Sequence, residues 1–267
     1  MGHLLFETLA YAVGFAIYRR DRRRFGDKLP DSQRSSVILA AILGAAIGSK
    51  LLAWAEDPGE FVRHWHEWQF LLGGKTVVGG LLGGTAAVEW IKARMGVTRR
   101  TGDLFAIPLA LGIAIGRVGC WVAGLADHTF GSPTSLPWGI DLGDGVRRHP
   151  VQLYEIVFLI ALAVALARLR SAPHRAGHLY RVFLIAYLTW RLCVDFLKPE
   201  PAFAGLSVIQ WSCAAALAWY VYEFQERRVP EYLCTIAHTP LLARQLAPRL
   251  SRVDDRLFAA GLVGLVS

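Results

Sequence analysis

Four cysteines in 267 residues, Cys120, Cys193, Cys213 and Cys234, stand in no C-x-x-C spacing. They give no basis for a disulfide framework or a zinc site, and no metal or cofactor is expected. The chain also has no G-x-S-x-G elbow, no H-E-x-x-H helix and no glycine-rich nucleotide loop, which removes the common hydrolase, zinc-protease and nucleotide-binding classes. Nothing basic precedes the first apolar stretch; the cluster Arg19-Arg20-Asp21-Arg22-Arg23-Arg24 follows it. Neither a cleavable signal peptide nor a twin-arginine signal is therefore expected, since both place their cations first. Acidic residues are the scarcer charge, 21 against 29 Lys plus Arg, for a net +8. What the chain has in quantity is apolar surface: 54% hydrophobic residues and a mean hydropathy of +0.36.

Crossing a hydrocarbon core takes about 20 mainly apolar residues, somewhat fewer with polar flanks. Seven windows qualify: Leu4 to Tyr18, Val37 to Ala55, Thr76 to Ile91, Leu104 to Leu125, Val151 to Leu169, Val182 to Leu197 and Leu206 to Tyr222. The cations sort between the loops. Arg19 to Arg34, Lys92 to Arg100, Arg168 to Arg181 and the tail after Phe224 hold 21 of the 29. Because loops rich in Lys and Arg stay cytoplasmic, the expected fold is an all-α integral membrane protein. It is a seven-helix bundle with a periplasmic amino terminus and a cytoplasmic carboxyl terminus. The positive charge then reports topology, and no nucleic-acid partner is expected. Residues 1–225 form the membrane domain and 226–267 a cytoplasmic tail, whose Leu257 to Val266 is apolar but about half a span long.

With this topology the ionisable residues inside the spans gather in the outer half. Glu7, Lys50, Lys75, Arg117, Glu155, Arg191, Asp195 and Gln210 all fall there, whereas Glu89 sits within a turn of Lys92 near the inner interface. Charge at membrane depth must pair or face water, and commonly marks function. A polar chamber open to the outer side is the expected arrangement, with Arg117 in an otherwise apolar helix as a phosphate-binding group. Tyr187, Arg191, Asp195 and Lys198 recur at i, i+4, i+8 and i+11 and share one helix face. His149, Gln152 and Glu155 step by three after Pro150, which suits a first helical turn. Blander readings stand beside these. Arg191 with Asp195, or Arg117 with Glu155, could be structural ties. Trp54, Trp65, Trp68 and Trp138 suit an interfacial belt, as Tyr187 alone would. His64, His66 and His128 are loop residues, and Cys120 is a small packing residue. Gly79, Gly80, Gly83 and Gly84, and Gly112 with Gly116, fit close helix packing.

Three stretches together resemble the bacterial prolipoprotein diacylglyceryl transferases. They are Gly116-Arg117-Val118-Gly119-Cys120-Trp121-Val122-Ala123-Gly124, the more specific His149-Pro150-Val151-Gln152-Leu153-Tyr154-Glu155, and Tyr187 to Lys198. Gly73 to Leu81 is similar to that family's glycine-rich motif and Gly48-Ser49-Lys50 to its Gly-Ala-Arg. The resemblance covers about residues 1–225. It implies transfer of a diacylglyceryl group from phosphatidylglycerol to the cysteine thiol of a secreted prolipoprotein at the bacterial inner membrane, with release of glycerol phosphate. Arg117, Arg191, Tyr187 and His149 would then be catalytic. Lys50, Gly116, Gly119, Gln152, Tyr154, Glu155, Asp195, Lys198 and Gln210 would hold substrate.

The chain departs from the family pattern at several of these positions. Val78 replaces the histidine proposed as the thiol's base, and Cys120, Ala123 and Leu125 replace two asparagines and a glutamate. Asp195 and Lys198 stand for glutamate and arginine, and a lysine lacks the guanidinium fork. His149, His128 or Asp127 would supply the base instead. A transferase with another acceptor, or a non-catalytic protein that binds or passes lipid, fits the same residues.

Overall fold

Seven helices of 17 residues or more coincide with the seven apolar windows in the computed structural model, which describes residues 2–27, 29–127, 129–199 and 203–236. They are α1 (Gly2–Phe25), α2 (Asp31–Glu56), α5 (Val77–Arg94), α6 (Asp103–Ala123), α7 (Val151–Ser171), α8 (His178–Val194) and α9 (Val208–Ile236). Two short helices, α3 (Pro58–His64) and α4 (Trp68–Leu72), occupy the segment between α2 and α5 that has no apolar window. The start of α3 is locally encoded: Pro58 fills its first turn and the Asp57 carboxylate accepts the Glu60 N–H at 2.9 Å. The strand content of the described residues is one small hairpin, Ile140–Asp141 against Arg147–Arg148, antiparallel.

Three helical stretches, Asp31–Glu56, Asp103–Asp127 and Val151–Ser171, are long and apolar enough to cross a membrane. The others carry more charge or less length: α8 has 17 residues, and α5 ends in Glu89, Lys92 and Arg94. On α2, Leu39, Ile42, Leu43, Ile47 and Leu51 are all exposed. A continuous apolar face of that extent belongs against lipid rather than water. The tail beyond residue 236 lies outside the described residues.

Residues 1–217 form one compact unit and 218–267 a second. Within the first, α2 packs along α5, α1 along α6, and α6 against both α7 and α8. Glycine sets the α2–α5 distance, since a Cβ on Gly44 or Gly48 would collide with the backbone of Gly83, and one on Gly83 with Gly44 and Gly48. Stacked rings join α1 to α6 through Tyr18 and Phe105, 4.9 Å apart, and α7 to α8 through Phe158 and Trp190, 4.5 Å apart. The first residue of α6 caps the first turn of α8: the Asp103 carboxylate accepts the N–H of Gly177 at 2.6 Å and of Tyr180 at 3.2 Å. Gly177 has φ +83° there, a conformation few other residues adopt. The basic ends of α1, α2 and α7 are tied by Asp21 to Arg170 at 2.5 Å and by Asp27 to Arg22 and Arg34.

Two expectations about element ends need correction. Asp195 and Lys198 do not continue the α8 helix; a 3-10 turn, Asp195–Leu197, takes over at Asp195. Lys198 is extended, φ −109° and ψ 146°, as suits a residue before a proline, here Pro199. Likewise α6 stops at Ala123 because Gly124 turns to positive φ, and a second 3-10 turn, Gly124–Asp127, follows.

The glycine contact makes a direct prediction. Gly83→Leu should destabilise the protein by about 1–3 kcal/mol through overpacking. Gly116→Ala, whose Cβ meets nothing within 4 Å, should hold or raise stability. Thermal unfolding of both variants in detergent micelles is the check.

Candidate functional site

Three helices converge on Glu155. Its side chain starts one turn into α7 and reaches Arg117 of α6 (Nε to Oε2, 2.9 Å), Arg191 of α8 (Nη1 to Oε2, 3.6 Å) and Tyr187 of α8, whose hydroxyl donates to Oε1 at 2.8 Å. Arg191 turns its other end to Asp195, with Nη2 to Oδ1 at 2.7 Å, and Lys198 lies 3.7 Å from the same oxygen. The amino end of α9 joins through Ser207, whose hydroxyl is 3.5 Å from Asp195 Oδ2. Ser207 and Gln210 form a reciprocal cap: the Ser207 N–H donates to Gln210 Oε1 at 2.8 Å, and the Gln210 N–H to Ser207 Oγ at 3.1 Å. Gln210 Nε2 then donates to the Leu192 carbonyl at 3.0 Å, fixing α9 to α8.

All of these groups are sealed. Relative exposure is 9% for Arg117, 3% for Glu155 and Arg191, 4% for Asp195 and 0% for Tyr187. Three cations, Arg117, Arg191 and Lys198, stand against the carboxylates of Glu155 and Asp195. Arg117 Nε, Arg191 Nε and Arg191 Nη1 are buried without a hydrogen bond, as is the acceptor Asp195 Oδ1. The Glu155 carboxylate is 2.9 Å from Arg117 Nε and 3.6 Å from Arg191 Nη1, so the ions are in contact while these N–H groups make no directed bond. Buried donors in native proteins are nearly always satisfied. An anion with several acceptor oxygens would meet that demand.

A second string of polar groups leads from this cluster to the loop after α6. Arg117 Nη1 lies 3.9 Å from the Cys120 sulfur, and the Asp127 carboxylate neighbours the Cys120 thiol. Asp127 accepts the Thr129 hydroxyl at 2.5 Å, and Gln152 Nε2 reaches Thr129 Oγ1 at 3.5 Å. Gln152 is 1% exposed and its Oε1 is buried without a hydrogen bond. The loop closes over the end of α8 by Ser132 N–H to the Leu197 carbonyl, 2.7 Å, and His149 N–H to the Ser132 carbonyl, 3.1 Å. At its tip the Asp141 carboxylate takes the N–H groups of Gly143, Asp144 and Gly145, and these bonds, Gly143 first, hold its pKa below the usual carboxylate value.

Of the residues expected at the site, the structure brings together Arg117, Glu155, Tyr187, Arg191, Asp195, Lys198 and Gln210, with Gln152 joined through the loop. Others go elsewhere. Lys50 donates to the carbonyls of Leu72, Gly73 and Gly74, where the turn after α4 returns its free carbonyls over α2; it is a backbone clamp. Lys75 pairs with Glu7 at 3.0 Å. The His149 ring lies 3.4 Å from the Tyr154 hydroxyl, which also takes the Trp138 N–H at 2.8 Å, and none of these bonds joins the Glu155 cluster. Gly119 packs its bare Cα against Phe6 of α1. Val78 is buried at 1% exposure. His128 lies outside the described residues. The expected open chamber is filled by its own lining, because Arg117 and Arg191 meet Glu155 across helices and Asp195 meets Arg191 and Lys198 locally. An apolar pocket of about 290 Å³ lies instead beside Gly48, Leu52, Gly79 and Gly83. Thr129 and Ser207 were not anticipated. Ser207-x-x-Gln210 carries a capping-box signal that could have found the second; nothing local marks the first.

Fold and site together define an α-helical membrane protein with an ionised cluster buried among its helices. The chain belongs to the prolipoprotein diacylglyceryl transferase family, whose model matches residues 4–223. It is 31% identical over 227 residues to the phosphatidylglycerol–prolipoprotein diacylglyceryl transferase of Bordetella parapertussis, covering 76% of this chain and 83% of that one. The protein of the same name from Nitrosomonas europaea is 29% identical over 81% of this chain and 85% of its own. That from Cupriavidus metallidurans is 33% identical over 66% and 65%.

Glu155→Gln keeps the shape and removes the charge between two guanidiniums. Breaking a buried pair in this way costs about 3–5 kcal/mol, and Tyr187→Phe, which deletes one hydrogen bond to a charged group, about 1.5–3 kcal/mol. Unfolding midpoints of the two variants should fall in that order.

Proposed function

We propose that this protein transfers the diacylglyceryl group of phosphatidylglycerol to the thiol of a lipobox cysteine in a secreted prolipoprotein. The reaction takes place at the outer face of a bacterial inner membrane. The observation that carries this reading lies at the buried cluster, where guanidinium N–H groups of Arg117 and Arg191 are without hydrogen-bonded acceptors. A phospholipid phosphate supplies acceptors of the matching charge. As the acceptor sulfur attacks the glyceryl carbon, negative charge grows on the departing phosphate, and fixed cations in a water-poor site stabilise that charge. Glu155 and Tyr187 orient the two guanidiniums, and Asp195 with Lys198 sets the far side of Arg191.

All seven long helices span the bilayer in this reading, with the amino terminus periplasmic and the carboxyl terminus cytoplasmic. Membership of the family and the sorting of the basic residues support it, as do three helices already apolar enough to cross. The buried Val78, where family members carry a histidine, favours a second reading in which lipid is bound and not transferred.

Expression in cells depleted of their own transferase separates the two. The unaltered protein should restore lipoprotein modification, and Arg117→Ala should lower the rate at least about 100-fold at unchanged protein level. Full activity of Arg117→Ala would overturn the phosphate assignment, and failure of the unaltered protein would favour lipid binding.

A further inference from the structure

The transfer reaction needs a group to take the acceptor thiol's proton, and Val78 cannot. We infer that Asp127 is that group, an assignment that rests on the transferase reading above. Two other carboxylates stand near Arg117 and Arg191, and both are committed elsewhere: Glu155 lies between the two guanidiniums, and Asp195 contacts Arg191 and Lys198. Both are sealed from an incoming peptide. Asp127 differs in access. It is half-buried at the end of the 3-10 turn after α6, beside the exposed Ala126, on the loop side of the cluster.

Its neighbours suit the task. The Thr129 hydroxyl donates to Oδ2 at 2.5 Å and fixes the carboxylate, while Gln152 Nε2 contacts that hydroxyl from α7 and leaves its buried Oε1 without a hydrogen bond. A thiol already stands in this position: Cys120 neighbours Asp127, and its sulfur lies 3.9 Å from Arg117 Nη1, so a sulfur fits between this carboxylate and the cation assigned to the phosphate. An acceptor thiol entering beside Cys120 would have its base on one side and the leaving group's cation on the other. That is the order a displacement requires.

The step balances. The acceptor S–H proton passes to the Asp127 carboxylate, and the sulfur forms a bond to the glyceryl carbon bearing the phosphate. That carbon's bond to oxygen breaks, and glycerol phosphate leaves with the bonding electrons, its charge facing Arg117 and Arg191. Asp127 then returns the proton to water on the loop side. Among the described residues, the groups facing it include Cys120 and, beyond it, Arg117 from α6, and the neutral Gln152 from α7.

The test uses the full-length protein in detergent micelles with phosphatidylglycerol and a synthetic peptide carrying one lipobox cysteine, with glycerol phosphate release followed from pH 6.5 to 9.5. A general base contributes about 10²–10⁴-fold. Asp127→Asn should therefore lose at least about 100-fold in kcat at pH 7 with the KM for lipid little changed. The deficit should shrink as pH rises through the peptide thiol's pKa of about 8.5, where thiolate forms without help. Asp127→Glu should recover part of the rate. A deficit constant across the pH range, or an Asp127→Asn variant as active as the unaltered protein, overturns this assignment alone. Should the unaltered protein release no glycerol phosphate at all, the transferase reading falls and this one with it.

Discussion

One carboxylate organises the interior of this protein. Glu155 holds Arg117 of α6 and Arg191 of α8 together and takes the Tyr187 hydroxyl on its other oxygen. Without it, two guanidiniums would repel one another among apolar helices, where each unpaired charge costs about 2.5–3.5 kcal/mol even on insertion scales. On the far side Asp195 meets Arg191 and Lys198. The guanidinium N–H groups left without hydrogen bonds are what an anionic headgroup would use. In the proposed reading, structural tie and ligand site are the same set of atoms.

The helices are held so that this set stays in register. Asp103 caps α8 from the start of α6, which ties Arg117 and Arg191 together at the opposite end from the cluster. Ser207 and Gln210 do the same for α9. Between α2 and α5, hydrogen bonds from Thr76 to Ser49 hold the start of α5, and bare glycine surfaces set the rest of the contact. The two modes suit their places: close backbone packing needs no directed bond in lipid, whereas buried ions need nearly every bond satisfied.

Much of this arrangement is legible in the chain. Apolar windows locate the seven long helices, although α1 runs on to Phe25 and α9 to Ile236 through polar residues the windows leave out, and spacing places Tyr187 and Arg191 on one face because four residues is close to one helical turn. The partner of Arg117 is readable as well, since Glu155 sits at matching depth on the next span. Where inference stops, backbone geometry decides. Lys50 looks like one more outer-half cation, but its destination depends on the turn at Gly73 and Gly74 after a helix that no apolar window announces. The helix of Tyr187 changes to a 3-10 turn at Asp195, so the stripe ends by a different geometry. Cys120 reads as packing until the loop folds Asp127 back against it. Each of these depends on a chain reversal, and reversals carry weaker sequence signals than periodic helices.

The central claim is that Arg117 and Arg191, held by Glu155, present buried N–H groups without hydrogen-bonded acceptors to a phospholipid phosphate. Mass spectrometry of the lipids that copurify with the full-length protein from bacterial membranes, compared between the unaltered chain and a double Arg117→Gln, Arg191→Gln variant, tests it most directly. The account predicts phosphatidylglycerol enriched over its membrane abundance in the unaltered protein and at background in the variant. Equal enrichment in both, or enrichment of a neutral lipid, would contradict it.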